Sequence, residues 1–321
     1  MARKAKKKKS GTLIFVAFVL MVLIVICKSI TPEDPQIFEK EYGEGITPVP
    51  ALKIETIPSL SISPDKLNSP NTILLRLKDH AVLMQQNSEK SVYPASLTKM
   101  ITAVVAIENL PDLNEEIELT NSTFQGLYEA DASMAGFQPG EKVRAIDLLY
   151  GVLLPSGAEC CIGLANQIAG SEQRFVKMMN QKAADLGMGN THFENTTGIH
   201  SENHYTTVKD LAVFLSFALQ NETFREIFTS SRHFTQATNT HPDGITFYNT
   251  MFEQLNNQSI IGGEILGGKT GYTDAAGLCL ASLARVDQQE YVLISTGAEG
   301  DHYSEQYNIT DALTIYNSIG R

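Results

Sequence analysis

Apolar positions along this chain fall into four successive regimes. Residues 13–27 are fifteen apolar residues without a polar interruption. Such a run suits the hydrocarbon core of a bilayer, which takes about twenty helical residues to cross. Gly11, Thr12, Ser29 and Ile30 can lie at headgroup level and Lys28 can extend its amine to water, so the predicted membrane helix is 11–30. From 28 to 70 no helical or strand period persists, and seven of the chain's twelve prolines fall there. That composition predicts an extended tether, within which 51–57 reads as a short strand.

From Thr72 onward the periods become those of a packed domain. Two short apolar runs, 73–77 and 81–84, are separated by Lys78, Asp79 and His80 and predict a hairpin. After Pro94, the positions Leu97, Met100, Ile101, Val104, Val105 and Ile107 have helical spacing, so a helix begins close to Ser96. Further helices are expected at 145–153, 159–169, 171–186, 208–219 and 222–229. The pattern then returns to strands at 265–272, 277–285 and 290–296, followed by a closing helix at 303–319. Strands at both ends with helices between them predict an α/β chain of the α+β kind. Its antiparallel sheet is built from the two chain extremities, with a helical subdomain inserted.

Charge adds a direction to this layout. The 321 residues are 43% hydrophobic, which excludes intrinsic disorder as a description of the whole. Arg3, Lys4, Lys6, Lys7, Lys8 and Lys9 precede the apolar run with no acid among them. The remainder therefore carries 36 acids against 19 bases, −17, within a formal total of −11. A basic flank on a first apolar helix places it on the cytoplasmic side. The expected order is a basic cytoplasmic tip at 1–10, a signal anchor at 11–30, a tether at 31–70 and an extracytoplasmic domain at 71–321. A cleaved signal peptide shares the basic start and apolar length, but no small-x-small cleavage site follows Cys27. So acidic a body is not expected to bind nucleic acid. Outside the anchor only Cys160, Cys161 and Cys279 remain, enough for one bridge at most, and the adjacent pair reads as small core residues on a helix.

The candidate chemistry lies in three short segments. In Pro94-Ala-Ser-Leu-Thr-Lys-Met100, Ser96 and Lys99 are three apart at a helix start and share a face. A serine hydroxyl becomes a nucleophile when a base takes its proton, and a lysine is such a base once burial or a neighbouring cation lowers its pKa. A helix N-terminus adds free N–H groups where an oxyanion can form. Alone, Ser-x-x-Lys is a common solvated helix face. Sixty residues after Ser96, however, comes Leu154-Pro-Ser-Gly-Ala158, a turn before a helix. Another 113 residues after Ser156 comes Gly267-Gly-Lys-Thr-Gly-Tyr272 on an expected strand, whose glycines suit close approach of a ligand.

This ordered triple resembles the Ser-x-x-Lys, Ser-Asp-Asn and Lys-Thr-Gly motifs of penicillin-binding proteins and class A β-lactamases. Residues 175–188 followed by Thr191-His-Phe-Glu-Asn-Thr-Thr-Gly198, and Lys269-Thr-Gly-Tyr-Thr273 with Ala276-Gly-Leu-Cys279, narrow the likeness. From about Thr72 to the end the chain resembles the low-molecular-mass penicillin-binding proteins, serine D-alanyl-D-alanine carboxypeptidases with a β-lactamase/transpeptidase-like fold. The resemblance implies that Ser96 attacks the penultimate D-Ala carbonyl, Lys99 acts as base and Ser156 relays the proton. It implies that Lys269 and Thr270 hold the terminal carboxylate, and that Gly271 and Tyr272 continue the binding strand, the N–H groups of Ser96 and Tyr272 forming the oxyanion hole. The implied partners are a peptidoglycan stem peptide ending in D-Ala-D-Ala, β-lactams as acylating inhibitors and, through 11–30, the bilayer; no cofactor or metal is implied.

Two departures stand out. Where the family's second motif ends in Asn, this chain has Ala158 followed by Glu159, which leaves open a tolerated variation or a weakly active wall-binding homologue. The best-known members also continue into a β-rich domain and a C-terminal amphipathic helix, whereas fifty residues follow Gly271 here, and the membrane role is expected at the N-terminus. A class A β-lactamase would carry a Glu-x-x-Leu-Asn-type loop, and Glu172, Glu194 and Glu202 are not in that context. His200 and His204 have the four-residue spacing of a metal pair, but their polar surroundings read as a loop.

Overall fold

The computed structural model describes residues 52–54, 66–255 and 257–319. The expected basic tip at 1–10 and membrane helix at 11–30, and nearly all of the tether at 31–70, lie outside them. No helix among the described residues is long and apolar enough to cross a membrane.

The strand expected at 51–57 is described at β1 (Lys53–Ile54), and the predicted hairpin is β2 (Asn71–Arg76) with β3 (Ala81–Gln86). A 3-10 turn at Ala95–Leu97 leads into α1 (Thr98–Asn109). β4 (Glu116–Leu119) and β5 (Glu141–Arg144) pair across a long loop. Then come α2 (Ala145–Leu153), α3 (Ala158–Ala169), α4 (Glu172–Asp185), α5 (Val208–Ala218) and α6 (Glu222–Thr229). A second small hairpin, β6 (Arg232–Phe234) and β7 (Thr246–Tyr248), is followed by the short α7 (Thr250–Gln254). The chain closes with β8 (Ser259–Ile260), β9 (Gly263–Thr273), β10 (Gly277–Val286), β11 (Gln289–Ala298) and α8 (Tyr307–Ile319).

The main sheet has the order β1-β3-β2-β11-β10-β9-β8. Its pairs are antiparallel except β1 with β3. β2 and β3 from one end of the chain thus join β9, β10 and β11 from the other, and the helices are the insertion between them. Both faces of the sheet are covered, as alternation along each strand requires. Ile73, Leu75, Ala281, Leu283, Val292 and Ile294 face the helical core, while Leu74, Leu280, Ala284 and Leu293 meet Ile309, Ala312, Ile315 and Tyr316 of α8. Removing one methylene from such a core costs on the order of 1 kcal/mol.

Local signals set the helix ends. Ser171 and Thr207 accept hydrogen bonds from Arg174 N and Asp210 N as N-caps of α4 and α5, and Gly170 closes α3 with φ +73°. The closing helix begins at Tyr307, four residues later than its apolar period suggests. Asp301 captures the N–H groups of Tyr303 and Ser304, and Gln306 bonds Asp301 O. That turn competes successfully with a helical start.

Candidate active site

The first and third sequence segments meet where β9 passes the start of α1, and Glu159, Cys160 and Cys161 of the second are near enough to act on the charge of Lys99. Ser96 sits in the 3-10 turn directly after Ala95, a non-glycine residue at φ +47°. One turn on, Lys99 Nζ lies 3.1 Å from Ser96 Oγ and donates a 2.8 Å bond to the carbonyl of Thr197. Only 2% of Lys99 is exposed, so this amine lacks the water that keeps a lysine charged. Burial lowers its pKa, against the smaller upward pull of Cys161, Glu159 and Cys160. The Ser-x-x-Lys spacing has therefore put a serine hydroxyl in contact with an amine that gives up its proton more readily than an ordinary lysine.

Close approach of backbones fixes this corner. At Gly271 a Cβ would come within 2.9 Å of Ser96 N, so the Lys-Thr-Gly strand runs directly beside the Ser96 amide. At Gly198 (φ +81°) a Cβ would lie 1.9 Å from Ala95 O. Glycine is required there both for space and for conformation. The loop carrying Gly198 is held by Asn195, whose Oδ1 accepts from Thr197 N and Gly198 N and whose Nδ2 donates to Ile199 O. Thr196 is tied to Glu172 and Thr102, so the Thr197 carbonyl is presented to Lys99 by a fixed frame.

Lys269 is 1% exposed and donates to the carbonyl of Thr270. Burial lowers its pKa well below the ordinary lysine value, and the nearby Lys99 pushes the same way. Thr270 Oγ1 is 2.6 Å from Thr250 Oγ1 at the start of α7. Tyr272 turns outward, its hydroxyl bonded to Asp274 and its ring edge-on to His302. Ser156 adopts φ +67°; its hydroxyl is buried and has no hydrogen-bond partner among the described residues. Ala158 is fully buried and its N–H is bonded to Ser133 O. With no Asn at 158, the lysine is oriented by the Thr197 carbonyl. Sequence reading missed that group because a carbonyl leaves no side-chain signal, although Thr196-Thr197-Gly198 lay within the family-like segment. It also missed Thr250, the partner of Thr270.

The remaining candidates fall elsewhere. His204 is buried with both ring nitrogens engaged, Nδ1 accepting from Glu194 N and Nε2 facing Thr98 Oγ1 at 2.8 Å, so neither is free to ligate a metal. His200 stacks edge-on against Tyr93. Cys160, Cys161 and Cys279 are buried free thiols; burial pushes Cys161 and Cys279 up to about 12.

Comparison with known proteins agrees with this geometry. The chain is 32% identical over 236 residues to the D-alanyl-D-alanine carboxypeptidase DacF of Bacillus subtilis, covering 71% of this chain and 57% of that protein. It is 28% identical over 241 residues to DacA of Escherichia coli, covering 71% and 55%. The chain thus spans little more than half the length of these relatives. The crystal structure of the Streptomyces K15 DD-transpeptidase shares the fold at a TM-score of 0.71 and 24% identity, over 80% of this chain and 98% of that one. Residues 59–300 match the family model described as D-alanyl-D-alanine carboxypeptidase. Because that match takes in all three motifs, the chain is a member of the D-alanyl-D-alanine carboxypeptidase family, peptidase family S11.

Proposed function

We propose that the chain is a serine D,D-carboxypeptidase that removes the terminal D-Ala from peptidoglycan stem pentapeptides through a Ser96 acyl-enzyme. The observation that carries this reading is the 3.1 Å contact between Ser96 Oγ and the buried Lys99 Nζ beside the Lys-Thr-Gly strand. Neutral Lys99 takes the Ser96 proton as Oγ attacks the penultimate D-Ala carbonyl carbon. The N–H groups of Ser96 and Tyr272 stabilise the oxyanion. The proton passes by way of Ser156 to the departing amine, D-Ala leaves, and an ester on Ser96 remains for water to hydrolyse. Lys269 and Thr270 hold the terminal carboxylate. An arriving anion also supplies the partner that a buried ammonium at 269 lacks, which raises its pKa again.

A β-lactam would acylate the same oxygen, its amide carbonyl taking the place of the D-Ala-D-Ala peptide bond. The orientation of Lys99 by Thr197 O favours turnover over a wall-binding role without catalysis, since the missing Asn at 158 does not leave the base unheld. Membrane attachment through 11–30, with the catalytic domain extracytoplasmic, rests on the apolar run and its basic flank. Placed there, the reaction would serve wall maturation by trimming cross-link donors, or glycopeptide resistance by removing the D-Ala that such antibiotics bind. The deciding experiment incubates the protein with a pentapeptide ending in D-Ala-D-Ala and follows free D-Ala. Release abolished by penicillin and by Ser96→Ala is expected; release unaffected by Ser96→Ala would refute the mechanism.

A further inference from the structure

The hydroxyl assigned to proton relay presents a problem of aim. Ser156 Oγ is buried and without a hydrogen-bond partner among the described residues, so no hydrogen bond fixes its direction and the backbone that places its Cβ matters the more. That backbone is left-handed, φ +67°. A non-glycine residue holds this conformation, which is disfavoured by on the order of 1 kcal/mol, only where its surroundings over-determine it.

Those surroundings are the segment 133–136 of the loop between β4 and β5, laid along the turn 156–159. Ala158 N donates to Ser133 O at 2.8 Å, and Gly157 N donates to Gly151 O at 2.8 Å. Gly157 packs so tightly on Ala135 that a Cβ there would come within 2.9 Å of Ala135 N. One side chain completes the contact: Glu159 Oε1 accepts from Ala135 N at 2.7 Å and from Gly136 N at 2.9 Å. Glu159 is fully buried in the first turn of α3, and its Oε2 has no partner among the described residues. Burying a carboxyl with one oxygen unpartnered is unfavourable, so the position is hard to account for by packing alone. At 158, where the family pattern would put an amide side chain, this chain has only a methyl group.

We propose that Glu159 is the positioning residue of the second motif, clamping the 133–136 backbone against the Ser156 turn and so aiming Ser156 Oγ at the proton path. The proposal rests on the Ser96 acyl-enzyme reading. Glu159 touches neither substrate nor reacting atoms; it acts through Ser156. A misplacement of about 1 Å in such a relay is enough to reduce a rate by up to 10²-fold.

The test measures acylation of the full chain by a fluorescent penicillin in stopped flow, separating the initial Kd from the acylation rate constant. Hydrogen exchange of the 133–137 amides is followed in parallel. Glu159→Ala is expected to slow acylation by about tenfold or more with Kd changed less than about twofold, and to accelerate exchange at 133–137. Glu159→Gln keeps a carbonyl oxygen for both N–H groups and is expected to recover the rate to within about threefold and restore the protection. If Glu159→Ala does not fold, Glu159→Asp, one methylene too short to reach, is expected to behave as Ala does. Wild-type acylation in Glu159→Ala despite faster exchange would overturn the proposal, as would Glu159→Gln being as slow as Ala. A wild-type protein that penicillin fails to acylate would instead sink the acyl-enzyme reading, while the exchange difference between Ala and Gln would still report the clamp.

Discussion

Acidification should weaken this fold through a single buried imidazole. His204 is 2% exposed, accepts from Glu194 N at Nδ1 and faces Thr98 Oγ1 through Nε2. Protonation would set an N–H at Nδ1 against the Glu194 N–H. Burial, assisted by His192 and His200, lowers its pKa from 6.5 to about 4. A depressed folded value means that the unfolded chain takes up the proton first. The stability is therefore fully present above about pH 6.5 and is lost as pH falls from there towards 4. With one pKa unit equivalent to about 1.4 kcal/mol, the linkage relation gives a loss of about 2 kcal/mol between pH 7.5 and 5 and about 3 by pH 4. For a domain of this size 2 kcal/mol corresponds to a Tm decrease of about 4–8 °C. The assay is urea unfolding of wild type and His204→Gln at both pH values, the variant serving to subtract every other titrating group. Gln can still donate to Thr98 but cannot titrate. The same loss between pH 7.5 and 5 in both proteins would refute the reasoning. Thr98 precedes Lys99, so acylation should decline over the same interval in wild type and less in the variant.

Three further outcomes follow from the site. Lys99→Ala should lower the acylation rate by about 10²–10³; in wild type that rate should rise with pH through a midpoint below the ordinary lysine value, because burial favours the free amine, and penicillin stopped flow over pH 6–10 checks this. Gly271→Ala would force a methyl group within 2.9 Å of Ser96 N, so it should destabilise by about 1–3 kcal/mol and suppress acylation, whereas Gly268→Ala meets the flexible end of Met251 as well as Ala281 O and tests how much of the loss comes from packing. Thr250→Val removes the 2.6 Å partner of Thr270 and should raise KM for a D-Ala-D-Ala peptide by about three- to tenfold with kcat little changed, as steady-state D-Ala release will show.

Much of the fold was legible where short-range period and packing agree. The helices expected at 145–153 and 222–229 have those bounds in the structure, those near α3 and α5 differ by a residue at one end and that near α4 by a residue at each end. The β4–β5 and β6–β7 hairpins were not legible: their strands are three or four residues long and meet only across loops of 11 residues or more. Within the site, Ser96, Lys99 and Lys269 were readable because side-chain identity and order carry the signal. The Thr197 carbonyl, the left-handed Ala95 and the reach of Glu159 to Ala135 were not, because each depends on where the backbone goes.

Two of the seven left-handed non-glycine residues among those described, Ala95 before Ser96 and Ser156 in the second motif, have a consequence for heat-resistant variants. Glycine would relieve either conformation by on the order of 1 kcal/mol, less the entropy that glycine adds to the unfolded chain. Ser156→Gly would take away the oxygen proposed as the relay, and Ala95→Gly would loosen the turn that carries Ser96. Under selection for thermal endurance without selection for turnover, a glycine accepted at either position would trade rate for melting temperature.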